Sequence, residues 1–392
     1  MEYNTFQNRI PLLAIHDNPK WDLFRFNELL VDDTKNALKI KKDDYLDSGK
    51  YPIVDQGQSV IAGYTDDKNG IYQGEEVIIF GDHTRILKYV DFPLFLGADG
   101  VKLLKAKLDK FRIDMKYIYY FLKTVELPND GYSRHFKYLK EVIIPVPSIE
   151  IQRKIVYTFD RISKIIDKRK EQIASCDEVI KSQFIEMFGD LIHNTKGWET
   201  VTLEKCADIL TGNPFKSQGY TDDNNQIKIC GGLIITPNGI EWEKANYWNR
   251  AEMEGLEKYY LNKDDIVLAM DRPWISNGLK IAMIKECDLP TVLIQRTARI
   301  RAKGINQVFM YYTLKDNKFK YHCKLTETTV PHIAMGDINN YEIPKPPVEL
   351  QNQFASFVQQ VNKLKFRMEQ SLKELEANFD SLMQRAFKGE LF

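Results

Sequence analysis

The five cysteines, Cys176, Cys206, Cys230, Cys287 and Cys323, contain no C-x-x-C pair, so neither a zinc site nor a disulfide framework is indicated. No apolar run approaches the ~18–20 residues that a membrane helix needs, and Met1–Ile10 is no signal peptide. The expected location is therefore intracellular, in the cytoplasm. Charge of one sign is also missing: 55 Lys and Arg stand against 55 Asp and Glu. A balanced total lowers the expectation of a nucleic-acid partner, yet it can conceal a basic face. With 43% hydrophobic and 28% charged residues, the chain has the composition of an ordinary folded protein of about two domains and an addition.

Catalytic motifs are absent too. There is no G-x-x-x-x-G-K-S/T loop and no Gly-rich strand–loop–helix for a dinucleotide or S-adenosylmethionine. Asn213-Pro214-Phe215 approaches the N/D-P-P-Y/F motif of adenine methyltransferases but lacks the second proline. Asp82–His83 with Thr84 could form a nucleophilic or metal site, but no second histidine lies at ligand spacing. The carboxylate pairs Asp222–Asp223 and Asp264–Asp265 sit beside turns and read as solvated. Nothing points to an enzyme or to a metal.

What the chain does contain is a repeat. IIPVPSIEIQ at 143–152 returns as EIPKPPVELQ at 342–351, so that Ile144, Pro145, Pro147, Glu150 and Gln152 fall on Ile343, Pro344, Pro346, Glu349 and Gln351. The register persists without a gap to Phe188 and Phe387. A second echo, NPKWDLFRFNELL at 18–30 and TKGWETVTLEKCADIL at 195–210, aligns Trp21 with Trp198. The order is domain, helix, domain, helix: residues 1–146, 147–189, 190–344 and 345–392.

Each helical copy follows prolines suited to a helix start and contains no Gly or Pro thereafter. Apolar residues recur in steps of four and three: Ile155, Phe159, Ile162, Ile166, Ile173, Cys176, Ile180, Met187. In the second copy they are Phe354, Val358, Val361, Met368, Leu372, Leu375, Phe379, Leu382, Ala386, with Arg169 and Lys365 interrupting the two runs. This heptad seam predicts that the two helices pair with each other. A helix of roughly 38 residues at ~1.5 Å each spans about 57 Å, longer than a small domain is wide. The expected architecture is mixed α/β: two α/β domains separated by an antiparallel coiled coil of two long helices.

The segments between, about 20–143 and 197–342, share little. Short β-rich runs (PIV 52–54, VIIF 77–80, DDIVLAM 264–270, LKIAMI 279–284, RTARIRA 296–302) mix with helical runs at 115–124 and 305–315. Polar and aromatic residues gather in the turns. In the first domain these are Gln56, Gly57, Gln58 and Tyr64; Asp82, His83, Thr84 and Arg85; and Tyr132, Ser133, Arg134 and His135. In the second they are Asn213, Pro214, Phe215, Lys216 and Ser217; Arg272, Trp274 and Asn277; and Thr328, Thr329 and His332. Arg suits guanine O6 and N7, Asn and Gln suit adenine N6 and N7, and Gly admits close backbone approach. Any one such loop reads equally well as an ordinary surface turn; three in each of two domains favour a double-stranded DNA partner.

IPVPSIEIQRKI and IPKPPVELQNQF at the helix starts, MFGD (187–190) and AFKGEL (386–391) at their ends, and YPIVDQGQ (51–58), GDHTR (81–85) and TVPHI (329–333) between them resemble type I restriction–modification specificity subunits. The resemblance runs along essentially the whole chain. It implies a non-catalytic DNA-recognition subunit, each domain reading half of a split asymmetric site while the coiled coil sets the spacing and docks two methyltransferase subunits. It also implies that S-adenosylmethionine, ATP and Mg²⁺ belong to partner subunits, including motor-nuclease subunits, and not to this chain. Two other classes stand beside it. A scaffold without DNA would leave the polar loops unexplained, and a self-contained nuclease or methyltransferase would need motifs that are missing.

Overall fold

The computed structural model describes residues 21–74, 76–97, 100–107, 112–128, 131, 133–276, 278–323 and 331–391, apart from the side chain of Ser217. The chain divides into two compact units, Met1–Glu171 with Glu369–Phe392, and Gln172–Met368.

In the first unit, Val77–Gly81 is apolar at every position because both of its faces are covered. It lies inside an antiparallel sheet in the order Leu30–Asp32, Val101–Ala106, Val77–Gly81, Leu87–Val90. Ile78, Phe80 and Leu104 pack on the helix Met115–Lys123, which Asp114 caps by accepting from the N–H groups of Lys116 and Tyr117. Val77, Ile79 and Leu103 face a core shared with Val54 and Leu96 of a smaller sheet. In that sheet Tyr51–Val54 runs antiparallel to Gly63–Thr65 and parallel to Phe95–Leu96.

The second unit repeats this plan although its sequence does not. Ala207–Thr211, Thr297–Ala302, Ile266–Ala269 and Ile281–Met283 form an antiparallel sheet in the corresponding order, covered by the helix Gln307–Lys315 with Asn306 as its cap. Ile227–Cys230 again has an antiparallel neighbour, Tyr247–Trp248, and a parallel one, Thr291–Leu293. The echo around Trp21 and Trp198 also has a structural cause. The strand that opens each unit, Asp22–Arg25 or Thr200–Thr202, pairs with the strand that precedes a long helix, Ile143–Val146 or Glu342–Pro344.

The two long helices are Ile149–Phe188 and Val348–Phe387, each of 40 residues. Their starts explain why glutamine recurs in the repeated motif. Gln152 is buried, accepts from the Asp114 N–H (2.9 Å) and donates to the Pro147 carbonyl (2.9 Å). Gln351 likewise accepts from the Asn306 N–H (2.8 Å) and donates to the Pro346 carbonyl (2.8 Å). Each glutamine thus ties the start of a long helix to the cap of its unit's shorter helix. Gly189 ends the first long helix in the left-handed region, at φ 80°.

Within each unit, segments of the two long helices pack antiparallel. In the first, Phe159 meets Phe379 and Phe387, and Lys170 pairs with Glu376 at 2.8 Å. In the second, Phe354 meets Phe184 and Phe188, and Lys365, the interruption in the seam, pairs with Asp177 at 2.7 Å. The heptad pattern missed Phe184, Phe188, Met383 and Phe387, all buried. Near the helix ends a third body, the domain helix, widens the buried arc: Phe387 contacts Tyr117 and Phe121, and Phe188 contacts Phe309. Seam residues farther in, such as Ile162, Ile173 and Leu372, are only half-buried. One solvated reading is also corrected. Asp265 is buried, because Arg301 forks onto its carboxylate and the Asn262 N–H donates to it at 2.7 Å. Among the described residues no helix is long and apolar enough to cross a membrane.

Candidate nucleic-acid interface

In the first unit, three separate loops meet beyond the end of Val77–Gly81. Thr84 Oγ1 donates to the Gln56 carbonyl (2.8 Å), and His83 Nδ1 lies 3.2 Å from the Ser133 carbonyl. The Asp82 carbonyl accepts from the His135 N–H (2.9 Å), and its carboxylate from the Phe136 N–H (2.7 Å). Gly81 is needed for this convergence: a Cβ there would stand 2.2 Å from Thr84 Oγ1 and 2.9 Å from Gln56 Cβ. Beneath the first loop Lys88 is buried and donates to the carbonyls of Asp55 and Ser59 (2.6 Å each), with the Asp55 carboxylate 3.6 Å away. Burial pushes its ammonium below the usual lysine range, and Asp55 opposes that shift.

This geometry sorts the expected residues. Gln58, Thr84, Arg85 and Arg134 are exposed, and Gln56, Gly57, His83 and Ser133 are half-buried at the same rim. Arg85 stands in the left-handed region, φ 62°, an uncommon place for a non-glycine residue and one that over-represents functional turns. Asp82 and His135 are corrected: both are buried and hold the loops together, so neither side chain presents an edge to a ligand. Tyr64 is not brought to the cluster; it pairs with Pro52 along the hairpin and lines a shallow groove with Tyr51, Ile61 and Phe92. Tyr132 lies outside the described residues.

The second unit gathers loops at the corresponding place by different chemistry. Asp271, just past Ile266–Ala269, accepts from Arg296 Nη1 (2.8 Å) through one carboxylate oxygen and meets His332 Nδ1 (2.7 Å) through the other. Burial raises the Asp271 carboxyl, but these two bonds outweigh it and hold the group below its usual range. The Arg272 N–H donates to the Pro331 carbonyl (2.8 Å), and the Asn213 carbonyl accepts from the Gln295 N–H (2.8 Å). Gly212 permits the last approach, since a Cβ there would lie 2.0 Å from the Ile294 carbonyl oxygen. Arg272 and Arg296 both occupy the left-handed region, φ 43° and 61°, and both are exposed.

Pro214 and Lys216 are exposed, Asn213 is half-buried and His332 is exposed beside Arg272. Phe215 is corrected: it is buried, its ring edge-on to Trp248 at 4.6 Å in a small core. Trp274 is half-buried, its ring 5.9 Å from Phe319. Asn277, Thr328 and Thr329 lie outside the described residues, as does the side chain of Ser217. Sequence reasoning missed Asp271, Gln295, Arg296 and Lys280. Arg296 was assigned to the start of a strand, whereas the strand begins at Thr297 and Gln295–Arg296 form a turn. A lysine inside an apolar strand run, as in LKIAMI, was the available signal for Lys280. Among the described residues no three His, Cys, Asp or Glu side chains converge as a metal set.

Comparison with known proteins gives a consistent result. The family model for the type I restriction modification DNA specificity domain matches residues 18–175 and again 195–377. The chain is 31% identical over 352 residues to the EcoR124I/EcoR124II specificity subunit of Escherichia coli, covering 83% of this chain and 82% of that one. It is 24% identical over 324 residues to the MjaVIII specificity subunit of Methanocaldococcus jannaschii, covering 76% of each. Among solved structures, the S subunit of a type I restriction–modification system from M. genitalium superposes with a TM-score of 0.55 at 19% identity, over 95% of this chain and 97% of that one.

Proposed function

The chain belongs to the type I restriction–modification DNA-specificity family, and for this sequence-recognition subunit we propose that each unit reads one half of a split DNA site. It is a non-catalytic component of such a system. The observation that carries the proposal is the duplication of one arrangement. In both units, loops distant in sequence converge just past the same sheet strand and expose arginines on left-handed turns. Two readers of different sequence on one repeated frame would give two different half-sites, hence an asymmetric target. Asp82, His135 and Phe215 shape the loops in this reading, while Arg85, Gln58, Arg134, Arg272, Arg296 and Gln295 face DNA.

The long helices act as an antiparallel coiled coil that holds the readers at a set spacing and docks two adenine-N6 methyltransferase subunits. Those partners carry S-adenosylmethionine and flip the target base; motor-nuclease subunits use ATP and Mg²⁺. Delegating much of the phosphate contact to partners accounts for the balanced charge, and a DNA partner accords with the cytoplasm. Inserting seven residues after Lys170 and after Glu369 keeps the heptad while lengthening the coil by roughly 10 Å, about three base pairs. Mapping of methylated sequences should show a longer non-specific spacer, or lost recognition of the whole site, with no change in half-site bases. Altered half-site bases, or the original spacing at full activity, would refute the architecture. A scaffold without DNA would give no salt-dependent shift of a random duplex.

A further inference from the structure

We infer that Lys280 anchors a backbone phosphate of duplex DNA at the second unit's loop cluster, from a position beneath Arg272 and Arg296. The inference rests on the reading that this cluster faces DNA. Lys280 joins the strands Gly278–Leu279 and Ile281–Met283; its N–H donates to the Pro273 carbonyl (2.7 Å), and its carbonyl accepts from the Ala269 N–H (3.0 Å). Leu279 and Ile281 point into the helix-facing core, so by strand alternation Lys280 leaves on the opposite face, with Ala269 and Ala282. The residue is only 9% exposed, so its stem is buried, while its ammonium nitrogen keeps contact with solvent and has no hydrogen-bond or ion-pair partner among the described residues.

An ammonium whose stem is buried and whose nitrogen reaches the surface without a partner is only partly hydrated and is open to an anion from outside. In the first unit a lysine on the equivalent hairpin strand is fully engaged within the chain: Lys88 has two carbonyls and the Asp55 carboxylate. Lys280 has no such set. The carboxylate that attracts it is Asp271, whose two oxygens are taken by Arg296 and His332, and the neighbouring Arg272 repels it. Arg296 is bound to the Asp271 carboxylate, and Lys280 feels both that carboxylate and the Arg272 guanidinium, so positive charge outweighs negative here and favours an anion from outside. A phosphate oxygen fits better than a base edge, because an ammonium is a point charge without the planar fork that reads guanine. Burial pushes the Lys280 ammonium below the usual lysine range, so an arriving anion gains by restoring it.

The test compares Lys280→Met and Lys280→Arg in the full chain, co-purified with its host's methyltransferase. The probes are a random-sequence duplex and a duplex carrying the mapped recognition site. Lys280→Met should weaken binding to both by the same factor, about tenfold, as for one charge-assisted hydrogen bond. The slope of log K against log salt should fall by about 0.9, the value for one phosphate. The methylated sequence should stay the same, and the melting temperature should not fall, since no bond within the chain is lost with the ammonium. Lys280→Arg should keep the wild-type slope. A lowered melting temperature with the slope retained would make Lys280 a structural counter-charge to Asp271 and overturn the inference. Relaxation at a single base pair would make it a base reader, which also overturns it. If the wild-type complex bound neither duplex in a salt-dependent way, the DNA-facing reading would fail, and this inference with it.

Discussion

The first unit closes its loops mainly through backbone groups and buried side chains: Gly81 lets Thr84 reach the Gln56 carbonyl, and Asp82 and His135 lock together out of solvent. The second closes its loops with an ion-paired carboxylate at the surface, Asp271, held by Arg296 and His332. Beneath them the two sheets have the same order, and the two glutamine clamps are equivalent. The scaffold is therefore specified by apolar faces and two buried amides, while the chemistry of the loops is free to differ. Independence of this kind lets one frame carry two unlike loop clusters.

Emptying equivalent core sites in the two units should have the largest effect. Phe188→Ala and Phe387→Ala each remove a fully buried ring and should cost about 3–5 kcal/mol. Amide hydrogen exchange should show Phe188→Ala loosening the Ile266–Ala269 sheet and Phe387→Ala the Val77–Gly81 sheet; equal loosening of both by either change would show that the units are not separate.

The glutamine clamps come next. Gln152→Leu and Gln351→Leu each strand a part-buried N–H and a buried carbonyl, at about 1–3 kcal/mol per unpaired group, and Gln152→Leu also frees the Arg112 carbonyl. Thermal melting should place Gln152→Leu level with or slightly below Gln351→Leu, and the reverse order would mean that the repeated motif does different work in its two copies.

For the readers themselves, Arg85→Ala and Arg272→Ala should each cost about 1–3 kcal/mol of discrimination at one base pair of one half-site only. Methylation mapping that shows both halves relaxed by one substitution would contradict separate reading.

The smallest effect concerns pH. Because the Asp271 carboxyl titrates below its unfolded value, its contribution is present above about pH 4 and is lost as pH falls through the folded value. Arg296 is 72% exposed, so solvent screening limits the contribution to about 1 kcal/mol or less. Wild type should lose its advantage over Asp271→Asn below pH ~4, the unfolded carboxyl range, and a constant gap between the two melting curves down to acid would remove the carboxylate's assigned role.

Much of the frame was legible in the chain because it depends on local periodicity. The prolines at 147 and 346–347 mark the helix starts, the four-and-three spacing marks the seam, and the runs at 77–80 and 297–302 read as strands because strand burial is written in consecutive residues. The polar turns at 55–58, 81–85, 213–216 and 272 were visible for the same reason. Which residue in a turn faces outward was not visible, since exposure depends on what packs behind it. Phe215 turned inward because Trp248, far along the chain, offers its ring edge, and Asp82 because Phe136 and His135 donate to it. Arg296 and Lys280 gained importance only when the sheet brought them to Asp271. Sequence alone determined the repeat, the helices and the places where loops gather. Only the tertiary structure decided which side chains meet there, because those contacts join residues tens of positions apart, and no local pattern encodes them.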